Sequence, residues 1–298
     1  MDNRANGEAM ILFGEPKYFI GFIKQKGLDV YSAYRNVSFL ARIVRKIFFT
    51  LRLPETVWYD KWKYKLRGVE TLILFFTQDD KIIHYIKSVN PDIRLIVWYW
   101  NPVFRGTNPN RLPDSICEKW SFDKNDALKF GMKYNTQFFL NNIKLPKNEI
   151  AYDVLFVGKD KGRKQMINDL EAEMSEEGIN TYFHVVEDNL SFGNHKRAIP
   201  YEESLTLLSK SRSILDIIQP GQSGLTLRPL EALFFQKKLI TNDTSIKTQK
   251  FYHPNNIFIL GENKMEYLNR FLATPFEDVA TDIVKYYDMH SWFKRFFE

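Results

Sequence analysis

The chain has 298 residues, is 44% hydrophobic, 15% aromatic and 26% charged, and carries a single cysteine, Cys117. That describes one large or two ordinary globular domains with a full core. It excludes a disulfide-stapled scaffold, a disordered or collagen-like chain and a Cys-rich zinc site. The net charge of +6 hides an asymmetry: residues 1–150 hold 24 Lys+Arg against 15 Asp+Glu, net +9, whereas residues 151–298 are net −3. The first half is therefore expected to meet an anionic surface or substrate, with nucleic acid and anionic lipid as the two classes. No run reaches the roughly 18 apolar residues of a spanning helix, and the N-terminus lacks the basic-then-apolar order of a signal peptide. A reducing cytoplasm is the expected compartment.

In chain order, the first strand is expected at residues 10–14 (MILFG). Phe39–Leu53 (FLARIVRKIFFTLRL) follows as a helix, with Phe39, Leu40, Ile43, Val44, Ile47, Phe48 and Leu51 on one face and Arg42, Arg45, Lys46 and Arg52 beside them. Two readings of this helix stand: an ordinary core-facing helix with a solvated basic rim, or a helix lying in the headgroup plane of an anionic membrane. Strands at 69–76 (VETLILFF), 93–99 (IRLIVWY) and 117–121, with a helix over Asp80–Asn90, complete a first set. Lys144–Ile150, carrying Pro146, reads as a linker. The second set is 152–157 (YDVLFV), 180–186 (NTYFHVV), 213–218 (SILDII), 237–241 (KKLIT) and 256–260 (NIFIL). Val279–Glu298 is expected as a terminal helix ending in Trp292, Phe293, Phe296 and Phe297. Short apolar runs alternating with helical patterns predict two α/β domains with parallel sheets, 1–146 and 147–275, followed by the helical segment 276–298.

In open parallel sheets ligands bind beyond the carboxyl ends of the strands, so the loops there carry the functional reading. After YDVLFV come Gly158, Lys159, Asp160, Lys161, Gly162 and Arg163, where two glycines permit close backbone approach and three cations can neutralise a diphosphate. The pattern is neither a dinucleotide-binding fingerprint nor a P-loop. After SILDII, the turn containing Gln222, Ser223, Gly224 and Thr226 gives way to a helix, whose free N–H groups and dipole suit a phosphate. Glu231 falls on the first turns of that helix, where a carboxylate can accept both hydroxyls of a ribose; a capped turn with a surface glutamate is the plainer alternative.

The stretch QSGLTLRPLEALFFQKKLITND (222–243) resembles the donor-binding segment of bacterial GT-B-type glycosyltransferases that build lipopolysaccharide, capsule and exopolysaccharide. The resemblance takes in YWNPV (99–103), WSFDKNDALKFGMKY (120–134), YDVLFVGKDKGR (152–163), PYEESLTLLSKSRSILDI (200–217) and FYHPNNIFIL (251–260), most of the chain from about residue 69 onward. It implies two Rossmann-like domains facing across a cleft, with a C-terminal helix returning to the first. It also implies a metal-independent hexosyltransferase with no cofactor, taking a nucleotide sugar, UDP-linked above all, and a lipid-linked saccharide acceptor at the inner face of the cytoplasmic membrane. On this resemblance Gly158, Lys161 and Arg163 match the first donor loop, Gln222, Ser223, Gly224 and Thr226 the phosphate turn, and Glu231 the ribose contact. Many members of the wider superfamily carry two glutamates separated by seven residues; here the first position is Ser223.

An inverting reaction needs a general base from the first domain. Asp79 and Asp80, after VETLILFF, and Glu15, after MILFG, stand at the correct strand ends; a helix cap or a solvated loop residue is the alternative for each. Asn101 is expected to orient a loop or the acceptor, and Asp123 and Asp126 to cap and charge the start of a helix. The histidines show no metal-ligand spacing, and no serine-hydrolase elbow occurs. Two other functions stay open: a non-catalytic scaffold of a polysaccharide-synthesis complex, and a nucleic-acid-binding module using Trp58, Tyr59, Trp62, Tyr64, Trp98, Tyr99 and Trp100 as stacking groups. No nucleic-acid partner is expected on the leading reading.

Overall fold

The computed structural model describes residues 8–14, 18–51, 53–75, 80–106, 108–187, 197–219 and 221–298. Glu15, Arg52 and Asp79 lie outside the described residues. The chain forms two compact units, Met1–Thr136 with Phe293–Glu298, and Gln137–Trp292.

The first unit contains β1 (Ala9–Phe13), α1 (Phe19–Gln25), β2 (Asp29–Ser32), α2 (Phe39–Thr50), α3 (Trp62–Lys65), β3 (Thr71–Phe75), α4 (Lys81–Val89), β4 (Arg94–Tyr99), β5 (Glu118–Ser121), α5 (Lys124–Lys129) and β6 (Lys133–Tyr134). Its strands form one parallel sheet in the order β2-β1-β3-β4-β5-β6. The central strands read as continuous apolar runs because both faces of a parallel sheet are covered; all five residues of β3 are buried. Two strands, β2 and β6, go unseen in the sequence. β2 buries only alternate residues of DVYS, and β6 is two exposed residues at the sheet edge. Neither offers an apolar run to detect. Asp123 caps α5 as expected, accepting the N–H groups of Asn125 at 2.9 Å and Asp126 at 3.1 Å. Cys117 is buried, and burial pushes its thiol up to about 11, which leaves it unreactive near neutral pH.

α2 corrects one of the two readings of its segment. It is not core-facing: none of its residues is buried, and Phe39, Leu40, Ile43, Val44 and Ile47 are 45–74% exposed. The core that the segment was expected to join is filled instead by Trp62, Leu66, Ile82, Ile83 and Ile86.

The second unit contains β7 (Tyr152–Lys159), α6 (Lys164–Glu176), β8 (Thr181–Val186), α7 (Tyr201–Ser209), β9 (Ser211–Asp216), α8 (Leu227–Phe235), β10 (Lys238–Thr241), β11 (Ile257–Ile259), α9 (Leu268–Ala273) and α10 (Thr281–Tyr286); α11 (Met289–Lys294) leads the chain back into the first unit. The sheet is parallel with order β11-β10-β9-β7-β8. Side chains alternate across it: Val154, Phe156 and Leu215 join a core with Ile167 and Met174 of α6 and Leu268 and Phe271 of α9, while Leu155, Val157 and Ile214 line a pocket with α7 and α8.

The expected terminal helix is two helices. Phe139 breaks it by forming a parallel bridge to Asp288, its N–H donating to Tyr287 O at 2.8 Å and its carbonyl accepting from Met289 N at 2.9 Å. Beyond the break Trp292 packs on Phe138, and Phe296 packs on Trp98 and Trp120 of the first unit's own sheet. Many of the aromatics belong to the cores. Tyr59, Trp62, Trp98 and Tyr99 are buried, so four of the seven side chains named as base-stacking groups have no free face. Among the described residues no helix is long and apolar enough to cross a membrane.

Candidate functional site

In each sheet the first strand lies between the second and third, as β7 lies between β8 and β9, and the crevice at the carboxyl ends of that pair is where open α/β sheets bind ligands. In the second unit this point carries a polar cluster. Asp216, the last residue of β9, is buried; its Oδ2 accepts from Thr226 Oγ1 at 2.7 Å and its Oδ1 from Arg228 Nη1 at 3.2 Å. Arg228 Nη2 donates to Val157 O on β7 at 2.7 Å, and the guanidinium lies 5.0 Å from the Phe156 ring centroid. The carboxylate is thus neutralised inside the fold by a fixed guanidinium. Gly158 makes room for it: a Cβ there would stand 2.5 Å from Arg228 Nη2.

One turn further along α8, Glu231 Oε1 accepts from Tyr201 Oη, at the start of α7, at 2.6 Å. Its other oxygen has no hydrogen-bond partner among the described residues. Burial raises the Glu231 pKa, opposed by the Tyr201 hydrogen bond and the nearby Arg228 charge. Tyr201, Ser204, Arg228 and Glu231 supply the polar edge of a cavity of about 230 Å³, whose walls are Leu155, Val157, Leu205, Leu208, Ile214 and Leu227. An apolar slot with a few polar groups at one edge is the usual make-up of a small-molecule site, and this volume suits a single ring system.

The two loops singled out in the sequence differ in what their helices offer. At the amino end of α6, Asp160 Oδ1 accepts the N–H groups of Arg163 at 2.9 Å and Lys164 at 2.7 Å, so that helix end carries its own anion. Arg163 is buried and spends its guanidinium on Ile217 O and, at 3.3 Å, Lys159 O, tying β7 to β9. Lys161 takes a left-handed conformation (φ 52°) next to Gly162 (φ 79°), which brings the chain round into α6. The amino end of α8 is different. Thr226 occupies the cap position but gives its hydroxyl to Asp216, and among the described residues no side-chain capping bond is made there. Its first-turn N–H groups are open to an anion, and Pro229, lacking an N–H, wastes no donor there. Gln222 N donates to Gln219 O at 3.1 Å and Gln222 Nε2 to Gly224 O at 3.4 Å, a turn built on its own backbone beside Ser223.

Of the expected donor residues, Gly158, Thr226 and Glu231 therefore meet around Arg228 and the cavity, whereas Arg163 serves the scaffold. Tyr201, Asp216 and Arg228 were missed, although a charged residue closing the apolar run SILD was a readable signal. In the first unit Asp80 stands at the start of α4 with no side-chain capping bond. Asn101 is exposed after β4, and the following turn is held by Asp126, whose Oδ2 accepts from Val103 N at 2.7 Å. Burial raises the Asp126 pKa. Among the described residues no cluster of histidine, cysteine and carboxylate side chains has the arrangement of a metal site. No protein-family model matches the chain, and no curated protein matches it.

Proposed function

We propose that the chain is a glycosyltransferase of GT-B type: residues 137–292 hold a nucleotide sugar, and its hexosyl group passes to a saccharide acceptor, lipid-linked in the synthesis of a surface polysaccharide or lipopolysaccharide. The observation that carries this reading is Glu231, a half-buried carboxylate at the switch point of a parallel sheet. Tyr201 fixes one of its oxygens and leaves the other open at the edge of an apolar slot. A ribose diol reaching that carboxylate places a base in the slot and a diphosphate toward the uncapped amino end of α8. In the transfer the anomeric carbon–phosphate oxygen bond breaks and the nucleoside diphosphate leaves with the electron pair. The acceptor oxygen forms the new bond and its proton passes to a base, the role proposed for Asp80 at the start of α4 and, from their place in the sequence alone, for Asp79 and Glu15. The helix-end N–H groups stabilise the charge growing on the departing phosphate.

The test is a thermal-shift screen against UDP, GDP, CMP and their sugar conjugates, with Glu231→Ala alongside. The proposal predicts a selective rise with one nucleotide, absent in the variant, and slow release of that nucleotide from its sugar conjugate. A rise without any turnover, with or without acceptor extracts, assigns the fold to a scaffold instead, the reading that Ser223 in place of an acid favours. No response from a folded protein contradicts both.

A further inference from the structure

Between β2 and β3 the chain leaves the first sheet for residues 33–67, an excursion closed at its base by an antiparallel bridge between Tyr34 and Tyr59. Arg35 N donates to Trp58 O at 2.9 Å, Asp60 N to Ala33 O at 3.1 Å and Trp62 Nε1 to Ala33 O at 2.8 Å. Tyr59 and Trp62, both buried, pack against Tyr85 of α4. Glu55, buried, accepts from Tyr34 Oη at 3.3 Å and pairs with Lys81. The base is therefore part of the core, and it fixes how α2 is presented. α2 rests on it through Phe49 against Tyr34, Phe48 edge-on to Trp58, and Arg45 stacked over Tyr34. The rest of its apolar side, Leu40, Ile43, Val44 and Ile47 with Phe39 and Leu51 at its ends, is bare.

A contiguous apolar face held open on a rigid base marks an interaction surface. Charge identifies the partner. Residues 33–67 hold nine Lys+Arg against two acids, net +7, more than the net charge of the whole chain. One of the two acids, Glu55, is buried and neutralised by Lys81. Arg42 and Lys46 flank the bare face, and Lys61, Lys65 and Arg67 are exposed on the same excursion. Apolar side chains on a short helix with Arg42 and Lys46 along one flank, too short to span, match the requirements of an anionic bilayer surface. We infer that this excursion is a membrane-docking platform: α2 lies in the headgroup plane with Leu40, Ile43, Val44 and Ile47 toward the acyl boundary, while Arg42 and Lys46 engage anionic headgroups. Arg45 is turned to the base and belongs to the platform's structure. The inference stands on the excursion alone and is independent of nucleotide binding by residues 137–292.

The experiment is co-sedimentation of the full chain with phosphatidylcholine vesicles with and without phosphatidylglycerol. Two variants accompany it, Ile43→Asp with Ile47→Asp and Arg42→Glu with Lys46→Glu. Because these side chains bury little, both variants should keep the parent melting temperature, which separates loss of binding from loss of fold. The expected result is binding to phosphatidylglycerol vesicles that each variant weakens by about tenfold or more and that added salt reduces. Absent binding, or equal binding by all three proteins, overturns the inference. A concentration-dependent dimer broken by the Ile43→Asp and Ile47→Asp variant, with no vesicle binding, gives the face to a second copy of the chain and equally overturns it.

Discussion

Arg228 crosses β7 at Gly158, where a single added methyl group would stand 2.5 Å from the guanidinium. The glycine read in the sequence as a place for phosphate to approach is, in the fold, a place for an arginine to pass. Displacing Arg228 leaves Asp216 buried with Thr226 as its remaining partner. Gly158→Ala should therefore cost on the order of 1–3 kcal/mol. A double-mutant cycle with Arg228→Ala checks the cause: the two changes should be clearly less than additive, and strict additivity would place the cost elsewhere.

Glu231 predicts a conflict between stability and binding. Burial holds its folded pKa above the unfolded value, so its contribution to stability is full below the unfolded pKa and is lost as pH rises through the folded one. Wherever it is ionised, the carboxylate is then a burden on the fold. Glu231→Gln, which keeps an acceptor for Tyr201, should melt no lower than the parent near pH 7, and any gain should shrink toward about pH 4. The same change should weaken nucleotide binding. Melting curves across pH measure the first effect and titrations the second; a variant that melts lower at neutral pH and binds normally would mark Glu231 as purely structural.

Much of this was legible. All nine strands expected from apolar runs form, within one or two residues of the stated limits, because a two-sided parallel sheet needs such runs and little else produces them. The strands β2 and β6 were hidden because each buries too little side chain to leave a pattern. The α8 loop was legible because strand, glycines and helix follow one another closely; what it holds together was not. Tyr201 and Glu231 are separated by 30 residues, and Arg163 meets Ile217 across 54. Whether the α2 face is covered depends on which other apolar groups fill the core first, a tertiary competition that periodicity does not encode.

Glu118 gives a pH signature in the other unit. Burial alone would raise its pKa, but hydrogen bonds from Arg94, Lys133 and Trp120 outweigh that and lower it to about 2. Its stabilisation is present above the unfolded pKa and is lost as pH falls through the folded value. Glu118→Gln should cost on the order of 2–3 kcal/mol at neutral pH, and the difference should vanish as pH falls from about 4.3 toward the depressed folded value. Paired urea titrations across that range test it, and a pH-independent difference would contradict the charge-based account.

The last six residues should matter more than their position implies. Phe296 is buried against Trp98 and Trp120, and its carbonyl accepts from Arg94 Nη1 at 2.7 Å. Phe296→Ala should destabilise the first unit by about 3 kcal/mol. The effect should appear in the near-ultraviolet signal of the tryptophans as the unit unfolds earlier, and an unchanged transition would mean that the tail does not hold the sheet.

The central claim is that residues 137–292 bind a nucleoside diphosphate through Glu231. Isothermal titration of the full chain with UDP and GDP, repeated on Glu231→Ala, tests it most directly. The account predicts saturable binding of one nucleotide that the variant weakens by about 1.5–3 kcal/mol, the range for a hydrogen-bonded charged group. Equal affinity in the two proteins, or no binding of either nucleotide to the parent, would contradict it.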